Sequence, residues 1–299
     1  MSTVALVTDE ASLPIDYDMP LLLDACRAVG LTAKVCSWED ETIDWSRFDA
    51  ALLRSPWTWV GRLPVFLAWC ERIAASTRLL NPLSVARWGL DKLYLADLVA
   101  HGVPIVPSKF IEPGANPIPA LQELLAEHPQ TGEIVVKPTT AAYSKDVRRF
   151  TLPLEAEAYQ HIVRLLGEGS HVILQPYVQS VDHGSETDLI YFDGVYSHAI
   201  HKSAMLMPDG TVNVPTLEHR KARTAAEDER AVASAALAAA ASHLGLEPPL
   251  LYGRVDLIRD SDGRPMVLEM EICEPSLNLP FSESGAMRFA HALDKRLKS

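Results

Sequence analysis

Residues 254–271 read Arg-Val-Asp-Leu-Ile-Arg-Asp-Ser-Asp-Gly-Arg-Pro-Met-Val-Leu-Glu-Met-Glu. An Asp-Gly pair between two alternating runs is the strongest short-range signal for a β-hairpin. With Asp262-Gly263 as a two-residue turn, Ser261 lies opposite Arg264, Asp256 opposite Glu269 and Arg254 opposite Glu271. Side chains alternate along a strand, so Arg254, Asp256, Glu269 and Glu271 share one face, while Val255, Leu257, Leu268 and Met270 share the other. The apolar face demands a core. The charged face demands compensation, because directly opposed side chains have Cβ atoms about 4.5–5.5 Å apart and like charges there are destabilising. One outcome is a solvated acidic strand with Arg254 supplying a salt bridge. The other is a cation held between the carboxylates. Magnesium takes oxygen ligands, typically one or two carboxylates plus substrate phosphates, which suits Asp256, Glu269 and Glu271 better than zinc or calcium would.

The rest of the chain supplies a frame for this hairpin. Val4-Ala5-Leu6-Val7 reads as a buried strand, followed by a helical pattern that stops at Gly30, then strands near Thr32–Cys36 and Ala50–Leu53. This β-α-β rhythm predicts a small parallel sheet with ligand groups at the strand ends, where Asp9 and Arg54 fall. No Gly-x-Gly-x-x-Gly follows the first strand, so a dinucleotide fold is not supported. Asn81-Pro82 marks a boundary. Beyond it a helix containing Lys92 is expected to run to Gly102, then a strand at Ile134–Lys137, a loop over Pro138–Asp146, a strand near Val147–Leu152, a helix from Glu155 to Gly167 and a strand at Val172–Val178. The remainder reads as antiparallel strands turning at Asp193-Gly194, Asp209-Gly210 and Asp262-Gly263, covered by an Ala-rich helix (Ala225–Leu244) and a C-terminal helix.

Charge narrows the partners. The formal net charge is -12, which argues against nucleic acid and an anionic membrane surface as partners. No apolar run reaches the roughly 18–20 residues of a membrane span, and the N-terminus lacks the pattern of a signal peptide. The four cysteines show no Cys-x-x-Cys spacing, so free thiols in a cytoplasmic protein are expected rather than zinc. Only nine lysines occur. Lys137 closes a strand before a loop of small residues, a placement that suits phosphate binding; the alternative is a strand-end lysine reaching water. Lys92 carries the same two readings. His198 and Lys202 share a strand face, with an acid–base or phosphate role set against a solvated surface pair. The run Arg54-Ser55-Pro56-Trp57-Thr58-Trp59 suits a small-molecule pocket in which Arg54 grips a carboxylate, or plain packing.

Taken in order, Lys92, Lys137 with its small-residue loop, Leu174-Gln175-Pro176-Tyr177-Val178, Glu186, Asp256 and Glu269-Met270-Glu271 resemble the ATP-grasp superfamily over essentially the whole chain. The resemblance implies an α/β (α+β) ATP-grasp fold: a Rossmann-like N-terminal domain (1–85), a central subdomain with the phosphate loop (86–178) and a C-terminal antiparallel subdomain carrying the metal site (179–299), the last two sandwiching the nucleotide. It implies ATP and Mg2+ as cofactors. Lys92 and Lys137 would contact phosphates, with Thr139, Thr140 and Ser144 in the closing loop. Gln175, Tyr177 and Val178 would hold adenine, Glu186 the ribose (Asp182 being the alternative), and Asp256, Glu269 and Glu271 the metal. Two departures stand out: the loop Ala141-Ala142-Tyr143 has no glycine, and the family's Glu-x-Asn asparagine is Glu271, which pairs with Arg254 in the expected register.

At closer range, the stretches Leu53–Trp59, Lys137–Asp146 and Glu269–Leu277 resemble the cyclo-ligases of D-cycloserine biosynthesis. That resemblance implies ATP-dependent activation of O-ureido-D-serine and its closure to D-cycloserine, with carbon dioxide and ammonia released. Arg254 would offset phosphoryl charge, His198 and Lys202 are candidates for assisting loss of the carbamoyl group, and Asp9, Arg54 and Trp57 would face the substrate. The partner is a small amino-acid-derived molecule, with a homo-oligomer left open. An intermolecular carboxylate–amine ligase is the alternative, and a decayed nucleotide-binding module a further one.

Overall fold

A computed structural model of the chain describes residues 2–141, 144–154, 156–184, 186–207, 211–212, 217–247 and 249–299. The first strand, β1 (Thr3–Thr8), is followed by α1 (Met19–Ala28), β2 (Thr32–Ser37), β3 (Ala50–Ser55), α2 (Leu63–Ala74) and β4 (Arg78–Leu80). These strands form a parallel sheet in the order β2-β1-β3-β4. A parallel sheet is covered on both faces, which explains the unbroken apolar run of β1. Val4 and Leu6 pack toward α1 and the C-terminal helix, whereas Ala5 and Val7 pack against Trp38, Phe66 and Trp69.

Next come α3 (Leu83–Gly89), α4 (Tyr94–Ala100), β5 (Lys109–Ile111), α5 (Ile118–Glu127), β6 (Glu133–Pro138), β7 (Arg148–Thr151), α6 (Ala156–Gly167) and β8 (Val172–Pro176). Here the helix expected to carry Lys92 is broken. Its two halves are α3 and α4, and Lys92 sits in the link, its N–H donated to the Thr139 carbonyl at 3.0 Å while Asp91 accepts from Leu93 N. The strands form an antiparallel sheet, β5-β8-β6-β7, with one face packed on α5 and α6. Alternation along β6 sends Ile134 and Val136 into that core and turns Val135 and Lys137 the other way. Glu155, expected to start a helix, lies outside the described residues, and so does the Asp209-Gly210 turn.

The last sheet joins β9 (Glu186–Phe192), β10 (Val195–Lys202), β11 (Arg220–Arg223), β12 (Tyr252–Arg259) and β13 (Pro265–Glu271), in the order β11-β10-β9-β12-β13. A short helix α7 (Ser180–Gly184) precedes it, and α8 (Glu227–His243) and α9 (Gly285–Lys298) complete the chain. The Asp193-Gly194 turn is present, both residues having positive φ (49° and 75°) as a tight two-residue hairpin requires. Helix α8 lies so close to the sheet that a Cβ on Gly253 would meet Leu237 at 2.8 Å. Its alanines are what allow that approach. No helix among the described residues is long and apolar enough to cross a membrane.

The β12–β13 hairpin pairs Arg254 with Glu271 and Asp256 with Glu269, as expected, but reaches that register by another route. Near the turn, Leu257 pairs with Val267 and Arg259 with Pro265. The loop therefore has three residues, Ser261-Asp262-Gly263, closed by Gly263 N–H donating to the Asp260 carbonyl at 3.0 Å, with Gly263 at φ +79°. A bulge at Leu268 then restores the register. The consequence is chemical. Leu268 joins Glu269 on the charged face, and Val267 takes the core position assigned to Leu268.

Candidate active site

A cavity of about 280 Å³ opens between the two antiparallel sheets and the turn at Trp57–Trp59. Its apolar end is built from Val106, Val135, Ile258 and Leu268. Gln175, Tyr177 and Val178 border it. Gln175 donates to Ser108 Oγ at 2.8 Å. The Tyr177 ring is braced by the Arg149 guanidinium, 3.5 Å from its centroid, and its hydroxyl donates to Asp182 at 2.5 Å. Arg149 also holds both Asp182 oxygens at 3.1 Å and bonds Glu133. Asp182 is thus committed to bracing Tyr177, and it does not line the cavity.

Two lysines enter from the central sheet side. Lys92 Nζ donates to the Ala141 carbonyl at 2.9 Å and lies 2.9 Å from Glu269 Oε1. Lys137 is a buried residue that lines the cavity, and its ammonium makes no hydrogen bond or ion pair within 4 Å among the described residues. Burial, with Lys92 nearby, pushes its pKa down to about 8, against the pull of Glu269. Ser144, at φ 53°, also lines the cavity. Thr139 and Thr140 do not; Thr139 is buried, its backbone bridging Lys92 N and the His171 carbonyl. Residues 142 and 143 of the expected phosphate loop lie outside the described residues.

The charged face of the last sheet forms the floor. Arg254 Nε and Nη2 lie 2.7 and 2.8 Å from the two Asp256 oxygens, and Nη2 is 2.5 Å from Glu271. Lys202 bonds Glu186 and stands 3.7 Å from both Asp188 and Asp256. Burial raises the Glu186 carboxyl well above its usual range and raises that of Asp188 as well. Burial likewise pushes Glu271 up to about 8, against the pull of Arg254. For Asp256 and Glu269 burial is outweighed by the adjacent cations, Arg254 with Lys202 and Lys92 with Lys137, which hold both below the usual range.

The donor set fits a magnesium ion. All ligands are hard oxygens, and the buried Asp188 Oδ1 has no hydrogen-bond partner among the described residues. Glu186, Asp188 and Asp256 each bring one oxygen within 4.8 Å of the others. Asp188 was not singled out from sequence, although Glu186-Thr187-Asp188 in an alternating strand places two acids on one face. Its position directly opposite Asp256 depends on the β9–β12 pairing.

The substrate-side expectations divide. Trp57 lines the cavity, together with Trp59 and Glu274. Arg54 is fully buried behind the wall, where it donates to the Pro275 carbonyl at 2.9 Å and faces Asp18 at 3.8 Å. Asp9 is buried too, accepting from Ser12 N and Thr58 N. His198 packs outside the cavity with Nε2 2.9 Å from the Leu277 carbonyl, and burial lowers its pKa to about 4. Arg54 and His198 fasten the 275–277 segment from behind and Asp9 fastens Ser12 and Thr58; none of the three lines the cavity. Sequence reasoning missed Glu274 and Arg220, both cavity-lining. The spacing Glu269, Glu271, Glu274 was the available signal for the first.

Comparison with known proteins gives four matches. A family model described as D-cycloserine synthetase DcsG, N-terminal domain, matches residues 4–81. The chain is 64% identical over 298 residues to the cycloserine biosynthesis protein DcsG of Streptomyces lavendulae, covering all of both chains. It is similar to the crystal structure of D-cycloserine synthetase DcsG, with a TM-score of 0.96, 64% identity, and coverage of 99% of this chain and 100% of that one. The ATP-grasp ligase PsnB, solved with a precursor peptide and AMPPNP, shares the fold at a TM-score of 0.63 and 18% identity, with 99% and 97% covered.

Proposed function

The chain belongs to the DcsG family of ATP-grasp ligases, and on that premise we propose that it closes O-ureido-D-serine to D-cycloserine at the expense of ATP, releasing ADP, phosphate, carbon dioxide and ammonia. The observation that carries this reading is the pairing pattern of the cavity's lysines. Lys92 is anchored on Glu269, whereas Lys137 lines the cavity with no hydrogen bond or ion pair within 4 Å among the described residues, ready for an anion. Glu269 acts on it only from beyond ion-pairing distance, and a buried charge without a close counter-ion is destabilising until a ligand supplies one.

ATP would lie with its base against Val135, Leu268 and Tyr177 and its phosphates between Lys92 and Lys137. Asp256, Glu269 and Glu271 are the residues that would hold magnesium, with Asp188 beside them; the bound ion would offset phosphate charge and align the transferring group. Lys137 and Arg254 supply fixed positive charge around the phosphoryl group, so the protein contributes positioning and electrostatics. The substrate carboxylate takes the γ-phosphoryl group. The ureido nitrogen attached to oxygen in the same molecule then attacks the acyl carbon, loses its proton, and expels phosphate as the five-membered ring forms. Hydrolysis removes the carbamoyl group. Holding one flexible molecule folded supplies the proximity that a two-substrate ligase obtains from two binding sites.

The test is incubation with ATP, magnesium and O-ureido-D-serine, followed by mass spectrometry. The expected result is D-cycloserine equimolar with ADP and dependent on no second substrate. A product formed only when a separate amine is added would instead identify an intermolecular carboxylate–amine ligase. The absence of ADP with any amino-acid-derived carboxylate would sink the enzymatic reading.

A further inference from the structure

The charged wall of the cavity is almost fully self-compensated. Glu186 is paired with Lys202, Asp256 and Glu271 with Arg254, and Glu269 with Lys92. Glu274 breaks the pattern. It lines the same cavity, yet among the described residues no lysine, arginine or histidine comes within 4 Å of its carboxylate, Lys92 acting on it from farther away. Neutral donors position it instead. Trp59 Nε1 donates to Glu274 Oε1 at 2.6 Å, and Trp57 Nε1 donates to the Glu274 backbone carbonyl at 3.0 Å.

The segment that follows is fastened from behind, so this carboxylate is preorganised. Pro275 O accepts from Arg54 at 2.9 Å, Ser276 O from Arg254 at 3.2 Å, and the Leu277 and Leu279 N–H groups donate to Asp18 at 2.6 and 2.8 Å. Glu274 is half-buried, and the nearest protein cation, Lys92, acts on it only from beyond ion-pairing distance; a partly desolvated carboxylate without a close counter-charge is destabilising. Here it is held at a cavity wall by the Trp59 indole N–H, with the Trp57 indole N–H on its own backbone carbonyl. A cationic group on the ligand would supply the close counter-charge. The opposite imbalance is present elsewhere in the cavity: among the described residues neither Lys137 nor Arg220 has a carboxylate within ion-pairing distance, Arg220 donating to Asn278 Oδ1 at 3.1 Å and lying over the Tyr17 ring. The ligand set thus carries anions to Lys137 and Arg220 and a cation to Glu274.

We infer that Glu274 is the subsite for the α-ammonium group of the substrate, with Trp57 and Trp59 fixing its position. This rests on the ring-closing reading above and sharpens it. The substrate is then a carboxylate that also bears a free amine, and the amine is read by an ion pair at the N-terminal-sheet side of the cavity.

The test compares O-ureido-D-serine with its desamino counterpart, 3-(ureidooxy)propanoate, in the wild type, Glu274→Gln and Trp59→Phe, following ADP release. A hydrogen bond to a charged group contributes roughly 10- to 100-fold in affinity. The wild type should prefer the amino substrate by about that factor. Glu274→Gln should erase most of the preference through KM for the amino substrate, leaving KM for ATP and the rate with the desamino compound near wild type. Trp59→Phe keeps the carboxylate but removes its locating N–H, so it should lose part of the preference; this holds the test open even if the glutamine variant folds poorly. Equal penalties on both substrates, an unchanged preference, or a loss confined to kcat would overturn the assignment. A wild-type enzyme that forms no D-cycloserine from O-ureido-D-serine is a separate failure, which overturns the ring-closing reading and this inference with it.

Discussion

Arg254 and Asp256, two residues apart on one strand, form a two-pronged pair of 2.7 and 2.8 Å that is almost wholly withdrawn from solvent. The same guanidinium reaches Glu271 across the hairpin. Its fixed fork matches a carboxylate in a way an ammonium cannot. Removing it leaves Asp256 with only Lys202, at 3.7 Å, and takes away the ion-pair partner of Glu271. Arg254→Ala should therefore cost about 3–5 kcal/mol of unfolding free energy and abolish turnover, and Arg254→Lys should restore stability more than activity. Urea titration alongside ADP release checks both. An unchanged urea midpoint in the alanine variant would mean that the pair contributes nothing to the fold.

Lys137 titrates near the working range because burial pushes its pKa down to about 8. Its ammonium is charged below that pH and neutral above it, so affinity for the phosphates should fall as pH rises through 8. kcat/KM for ATP is expected to decline on the alkaline side with that apparent pKa. Lys137→Arg should bind ATP more weakly but show no such decline up to pH 9, since a guanidinium stays charged. A parallel decline in both proteins would assign the titration to another group.

Glu269 lies 2.9 Å from Lys92 and is held ionised by Lys92 and Lys137, against the effect of burial. Glu269→Gln removes a charge from both the lysine and the proposed metal site. Turnover should drop roughly 10- to 100-fold, accompanied by a higher magnesium concentration for half-maximal rate. Magnesium titrations of the two proteins measure this. Wild-type turnover in the variant would show that Glu269 does not hold the metal.

Asn81 joins the parallel sheet to the last sheet. Its amide donates to the carbonyls of Tyr252 and Ile272 at 2.9 Å each, and its oxygen accepts from Leu251 N at 2.8 Å. Asn81→Ala leaves a buried N–H and two carbonyls without these bonds, for about 2–4 kcal/mol lost. KM values should stay close to wild type, because Asn81 does not line the active-site cavity. Chemical denaturation with parallel steady-state kinetics separates the two effects.

Local patterning made much of this legible. Period-two alternation identified the β12–β13 hairpin, its charged face and the pairings of Arg254 with Glu271 and Asp256 with Glu269. A two-residue turn and a three-residue turn followed by a bulge lead to the same distal register, so those pairs were reached without the true turn, and only Leu268 was assigned to the wrong face. Lys137 at the end of a buried strand was legible for the same reason. Lys92 was recognised as a candidate but placed in a helix interior, because its link conformation depends on a hydrogen bond to Thr139, far away in sequence.

Side-chain direction follows from backbone period alone, so the order of residues is enough to say which types face the same way along each strand. Which charges compensate one another is set by the folded arrangement of the strands. Asp188 lies against Asp256 because β9 pairs with β12, Lys202 sits among three acids because β10 pairs with β9, and Arg54 was drawn out of the cavity to brace Pro275. Ion pairing falls off over a few ångströms in three dimensions, and strand pairing between distant segments sets those distances. That is why Glu274, an ordinary acid in the sequence, stands out only once every neighbouring carboxylate in the cavity wall has its partner.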